Sequence, residues 1–416
     1  MKANAVLRAV LISAAFCSGL ALYVVKVPAQ DVGAEVGGGA GIFRAKNPEA
    51  KKAKAKTTTP TKKTSTSTRA GSKPVRSNVA ERVEELLDKG NEFRDAEKFS
   101  EAQESYQTVL KLKPRDARAA YGLGNVYSDM QRWDAAEAAY RDAIQWDPTN
   151  ADAYVALSVI LVQPRAGGDN AKRFADAETF ARRSVQIDPQ NAVGWDRLGV
   201  AMEARNLLNT ECEHSYRRAI ELEPGFAVAY AHLARMLNKM GRSAEAAPLY
   251  AKASELAKDP ATLNLIAESL QGEQQWPASE PVLRRALELD PRNSRSLVLI
   301  GRLLIVYKRY DEAEPYLKTA SEVSSRAFEP LNLLARAYLG MNRLADAEAT
   351  YERAAPLAMQ NERRQLAGAY GFEGVGDGYM KAKQNEDAAR AYQRALELDP
   401  GNKVLEQKLS QARSRG

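Results

Sequence analysis

Residues 117–150 read ARAAYGLGNVYSDMQRWDAAEAAYRDAIQWDPTN. The spacing predicts two amphipathic helices joined by a short turn. The first carries Tyr121, Leu123, Gly124 and Tyr127, and the second carries Ala136, Ala139, Tyr140, Ala143 and Ile144. Steps of three and four put the large residues on one face of each helix. Gly124 and Ala136 are small enough to let the two helices approach closely. Asp147-Pro148 ends the second helix, because proline cannot continue it and biases the preceding residue away from helical angles. Asn150 then stands where a side-chain oxygen caps the next helix.

Working outward, the same pattern recurs. Pro114 to Pro148 is one full step. Nine copies are predicted, at 83–116, 117–150, 151–191, 192–226, 227–259, 260–293, 294–327, 328–361 and 369–402. Copy three is seven residues too long around Gln163–Asp169, between its two helices, where added loop length costs little. About seven extra residues follow copy eight, around Met359–Gln365. A last helix, Lys403–Ala412 within 403–416, presents polar residues that would solvate the open end of the stack.

The order Leu-Gly, Tyr, Ala, Tyr, Ala, Pro, recurring at about 34 residues, resembles the tetratricopeptide repeat (TPR) family. The resemblance covers about 79–414. It implies an all-α fold, a right-handed superhelix (α-solenoid) of antiparallel helix pairs with a C-terminal capping helix. In such a fold the first helix of each pair lines a concave groove and the second forms the convex back. The family holds extended peptides or partner helices in that groove.

Composition narrows the function. The chain has 416 residues and a formal net charge of +7. Residues 1–43 carry +1 and residues 44–78 carry +10, leaving −4 for 79–416. The basic character therefore belongs to one segment, and a nucleic-acid-coating body is not expected. Lys2 and Arg8 precede an apolar run, Ala9 to Val25. Residues 1–29 read as a secretory signal or as a retained single-span anchor in residues 9–25. Either reading places the body outside the cytoplasm, in the periplasm of a bacterium or on its inner membrane. Residues 30–78, rich in Lys, Thr, Ser, Ala and Gly, have too little apolar content to fold. They read as a tether that can also touch an anionic envelope surface.

No Walker loop, HExxH, GxSxG or CxxC motif is present. Two cysteines and two histidines make neither a disulfide framework nor a zinc site. No cofactor is expected. Cys212 replaces a helix-packing alanine and reads as a small core residue. His214 and His232 are isolated. The cluster GFEGVGDG at 371–378 falls inside a repeat and not after a strand, so it reads as small residues at helix crossings. No segment is left for a catalytic domain, and an enzyme is not expected.

Projecting each first helix as the family does gives the candidate groove. Repeats three and four offer Val155, Val159, Val162, Val193 and Val200, a strip for an apolar or helical segment. Repeats five to eight offer Arg235, Asn238, Asn264, Arg295, Arg302, Asn332 and Arg336, with Glu268 and Glu329 among them. Arginine and asparagine suit carboxylates and backbone amides of an extended chain. The family's terminal-carboxylate clamp is not expected: Asn91 fits, but Leu87 replaces its lysine. The reading is a protein-binding scaffold, with self-association open. The alternatives are an accessory subunit of an envelope enzyme or assembly machine, and a polyanion-binding anchor working through 44–78.

Overall fold

The computed structural model describes residues 75–165 and 168–415. The apolar run 9–25 and the segment 30–74 lie outside these residues. Among the described residues every regular element is helical, and no helix is long and apolar enough to cross a membrane.

The helices come in pairs. They are α1 (Val75–Asp95) with α2 (Phe99–Leu112), α3 (Ala117–Asp129) with α4 (Trp133–Trp146), and α5 (Ala151–Leu161) with α6 (Asn170–Ile187). Next come α7 (Ala192–Ala204) with α8 (Thr210–Leu222), α9 (Ala227–Lys239) with α10 (Ser243–Leu256), and α11 (Pro260–Gly272) with α12 (Trp276–Leu289). Then follow α13 (Ser294–Val306) with α14 (Tyr310–Val323), and α15 (Phe328–Gly340) with α16 (Leu344–Ala354). After these stands a single helix, α17 (Gln360–Ala367). The last pair is α18 (Phe372–Lys381) with α19 (Asn385–Leu398), and α20 (Lys403–Arg415) ends the stack.

Each pair is locked from within. An added Cβ on Gly124 would stand 2.4 Å from the Tyr140 ring, so the first helix lies flat on that ring. The Tyr140 hydroxyl then donates to Asn125 at 2.8 Å. Tyr106 with Asn91 and Tyr392 with Asp377 repeat the same bond at the same offset. Asn150 caps α5, its side chain accepting from the Ala153 amide at 3.0 Å.

The turn inside a pair is also repeated. Glu97, Gln131, Asn206, Gln274, Lys308, Asn342 and Lys383 all have φ near +60°, and Gly241 has φ +77°. The amide after each of them reaches back five residues, as from Arg132 to the Tyr127 carbonyl at 2.7 Å and from Arg309 to Leu304 at 2.8 Å. This is the Schellman ending, which satisfies a carbonyl the helix leaves unpaired. The following arginine pins the next interface. Arg242, Arg309 and Arg343 pair with Glu213, Glu280 and Glu314 of the preceding repeat at 2.6, 2.7 and 2.8 Å.

Stacking gives the array its two faces. The first helices α1, α3, α5, α7, α9, α11, α13 and α15 pack on one another in an unbroken row, whereas second helices pack mainly on first helices. The closely spaced row is the inside of the curve. One core runs through the middle and end of the array, joined from α4 onward, and a second cluster holds the first two repeats.

Four details refine the sequence reading. Helix α1 starts at Val75, four residues inside the segment read as linker. In repeat three α5 ends at Leu161 and α6 begins at Asn170 and runs for 18 residues, so part of the added length extends α6, and Arg173 ties that side of α6 to Glu137 of α4 at 2.9 Å. The residues after repeat eight form a helix, α17, with Leu366 and Ala367 buried and the Met359 amide donating to Glu362 at 2.7 Å. As a result the first helix of repeat nine starts at Phe372 and not at Ala369. A Cβ on Gly371 would lie 2.0 Å from the Leu366 carbonyl oxygen, and one on Gly374 2.1 Å from that of Ala369. The glycine cluster therefore lets the chain fold tightly back from α17 into α18.

Candidate functional site

The row of first helices carries the candidate residues, and the structure sorts them by how much surface they keep. Val155, Val162 and Val200 are buried between helices. Only Val159 and Val193 of the valine strip stay half-exposed. The strip is thus mostly packing, because the close spacing of neighbouring first helices covers it.

The polar set is largely engaged with itself. Arg235 donates twice to Glu203, both bonds at 3.0 Å. Lys239 and the Tyr216 hydroxyl donate to the same carboxylate at 2.8 and 2.9 Å. Burial alone would raise the Glu203 pKa, but Arg235 and Lys239 outweigh it and hold the carboxyl at about 2. Beside it, His232 Nδ1 lies 2.8 Å from Asp196, whose side chain is fully buried. Burial raises the Asp196 pKa and His232 and Arg197 lower it, with a net shift downward. Glu203 and Asp196 occupy the same inward positions as the valines and arginines, and that shared position is the signal by which sequence reasoning could have included them; His232 lies one residue off that set and carries no such signal.

Further along, Ser296 donates to Asn264 at 2.7 Å, and Asn264 donates to Asn293 at 3.1 Å. Asn238 is buried. Arg295 pairs with Glu268 and lies 3.9 Å from Glu329, and Glu329 also receives Arg302. Asn332 is 9 % exposed. Arg336 stands apart: its guanidinium carbon sits 5.1 Å from the centre of the Tyr370 ring, and its buried Nε has no hydrogen-bond partner.

Cys212 is buried with its thiol 3.5 Å from the Gly199 carbonyl oxygen, and burial pushes its pKa up to about 12, which removes the thiolate at neutral pH. His214 stands edge-on to Trp195 at 5.9 Å, and His232 packs at 5.8 Å against Tyr216. Among the described residues no group of three His, Cys, Asp or Glu side chains could hold a metal ion.

Comparison with known proteins agrees with this architecture. Tetratricopeptide repeat models match residues 87–151, 124–192, 229–263, 264–322, 307–369 and 369–402. No curated protein sequence matches. Among solved structures, the chain is similar to a thermophilic TPR protein of Thermus thermophilus, with 22% identity and a TM-score of 0.40, covering 45% of this chain and 99% of that one. It is also similar to MamA, with 23% identity and a TM-score of 0.35, covering 40% of this chain and 93% of that one. MamA 41-end from Desulfovibrio magneticus RS-1 shares 16% identity, with a TM-score of 0.36 over 42% and 94% of the two chains. With repeat models matching most of its length, this chain belongs to the tetratricopeptide repeat family.

Proposed function

We propose that this TPR protein is a non-catalytic scaffold that holds an extended segment of a partner protein along its concave face, outside the cytoplasm. The observation that carries the reading is the unbroken row of first helices from α1 to α15. Such a row supplies one long surface that an extended segment can follow from repeat to repeat. The interior of the array is packed with side chains, and its one cysteine among the described residues is inert. Support for the location is the layout of Lys2, Arg8 and the apolar run 9–25.

Site-specific photo-cross-linking in cells tests the groove. A cross-linker at half-exposed Val159 or Val193 is expected to capture a discrete partner, and one at exposed Thr179 on the second helix α6 is not. Equal capture from Thr179 would move binding to the convex back. A reporter active only after export, fused to the C-terminus, tests the location: an inactive fusion would return the protein to the cytoplasm. The basic segment 44–78 is proposed as a separate envelope contact, and envelope association that survives its deletion would remove that role.

A further inference from the structure

The geometry points to a carboxylate seat between repeats eight and nine, formed by Arg336, Asn332 and Tyr370, that takes an acidic side chain of an extended partner segment. This inference rests on the groove reading above and names the chemistry of one point along it.

The argument starts from a repeated contact. Glu268 on α11 pairs with Arg295 on α13, at a sequence separation of 27. Arg302 on α13 pairs with Glu329 on α15, again at a separation of 27. In both interfaces the middle of one first helix is neutralised by the start of the next. Arg336 occupies on α15 the place that Arg302 occupies on α13. The residue that should meet it lies at the same separation lengthened by the insertion that forms α17, which is Tyr370. Tyr370 does meet it, with its ring under the guanidinium at 5.1 Å. At this interface an aromatic ring therefore stands where the preceding interface has a carboxylate.

The exchange leaves a charged donor set without an acceptor. Arg336 has no carboxylate within ion-pair distance among the described residues, unlike Arg235, Arg295 and Arg302. Asn332, one turn earlier on α15, is 9 % exposed and makes no side-chain hydrogen bond among the described residues. Tyr370 is 70 % exposed. A guanidinium stacked on a ring keeps its N–H edge free in its own plane, and that edge matches the two oxygens of a carboxylate. The Asn332 amide can bond the backbone beside that carboxylate. The two acids beyond the seat are not free to compete for Arg336, because Lys408 holds Glu373 at 2.7 Å and Asp377 at 2.8 Å. Helices lie on both sides of the seat, so a bound chain crosses it mid-length and presents a side chain. Alternate residues of an extended chain face the same way, so an acid at every second position always offers one to the seat.

Fluorescence anisotropy with the full chain tests this. The probes are two fluorescein-labelled twelve-residue peptides, acetylated and amidated at their ends. One alternates glutamate with threonine, and the other has glutamine in place of glutamate. The parent is expected to bind the glutamate peptide at least tenfold more tightly. Arg336→Gln removes that preference. Tyr370→Glu also removes it, since it restores the internal carboxylate of the neighbouring interfaces, and at an exposed position it leaves the fold intact. Arg292→Gln, at an exposed loop residue, keeps the preference. A preference that survives both Arg336→Gln and Tyr370→Glu overturns the seat, as does equal binding or no binding of the two peptides by the parent. The cross-linking pattern does not depend on this charge and still decides whether the groove takes a partner.

Discussion

The interface between repeats four and five and the one between repeats eight and nine are built from the same parts and finished differently. In the first, α7 and α9 pack directly, and Glu203 is surrounded by Arg235, Lys239 and Tyr216. Every strong charge there is answered within the chain. In the second, α17 intervenes, α18 packs on α16, and the row of first helices ends at α15. Arg336 is left with an aromatic ring and no acid. A repeat array can thus use a groove side chain to hold itself together or keep it for a partner. The choice is made by the residue that the neighbouring repeat sets opposite the groove side chain, a carboxylate in the one case and the Tyr370 ring in the other.

The largest expected effect comes from breaking the closed interface. Glu203→Gln removes the carboxylate that takes two bonds from buried Arg235 and leaves Asp196 as the acid facing it, a loss of up to roughly 3–5 kcal/mol. Lys239, 38 % exposed, keeps contact with water and places the expected loss at the low end. Urea unfolding followed by tryptophan fluorescence measures it. The pH dependence sharpens the comparison. The Glu203 carboxyl titrates at about 2 in the folded chain against an ordinary 4.5, so the unfolded chain binds the proton more readily. Its contribution is complete above pH 4.5 and is lost as pH falls toward 2. The parent should lose stability across that window, and Glu203→Gln should lose less. A variant with the parent's acid profile would show that other carboxylates set it.

The next effect belongs to the open interface. Gly371→Ala drives a methyl group against the Leu366 carbonyl and is expected to cost about 1–3 kcal/mol, as overpacking does elsewhere. Because each repeat leans only on its neighbours, the damage should stay local. Hydrogen exchange should speed up in α17 to α19 and remain unchanged in α1 to α6. Uniform acceleration would mean that the array unfolds as one unit.

What can be read from the sequence follows from the range of each signal. Helix pairing is legible because Gly124, Tyr140 and their equivalents recur once per repeat, and their packing depends only on that spacing. The turns are less legible. Their left-handed residue is Glu, Gln, Lys or Asn in seven repeats and glycine only at Gly241, so the usual marker is missing. The inward positions of Arg295, Arg302 and Arg336 can be projected from one helix, but their partners cannot. Pairing depends on how two first helices align, and that appears only in the fixed separation between Arg302 and Glu329. Tyr370 stays hidden because α17 lengthens its offset, and the burial of Val155, Val162 and Val200 because a single helix does not show how close its neighbour comes.

The smallest effect gives the sharpest contrast between the two kinds of arginine. Arg302 and Arg336 hold equivalent places on α13 and α15, and both are only partly exposed. Arg302→Gln removes a part-exposed ion pair with Glu329 and should cost roughly 0.2–1 kcal/mol. Arg336→Gln removes no ion pair, and its stacking on Tyr370 contributes about 0.5–1 kcal/mol at an exposed ring. Salt separates the two. Screening weakens exposed charge pairs, so the cost of Arg302→Gln should shrink between low salt and about 1 M. The cost of Arg336→Gln, which comes from stacking rather than from a carboxylate, should shrink less. If both costs fell together, Arg336 would have an acidic neighbour in solution and its interface would be closed like the others. If only the Arg302 cost falls, the guanidinium at repeat eight stands without an internal acid, and its charge is matched only when something else supplies one.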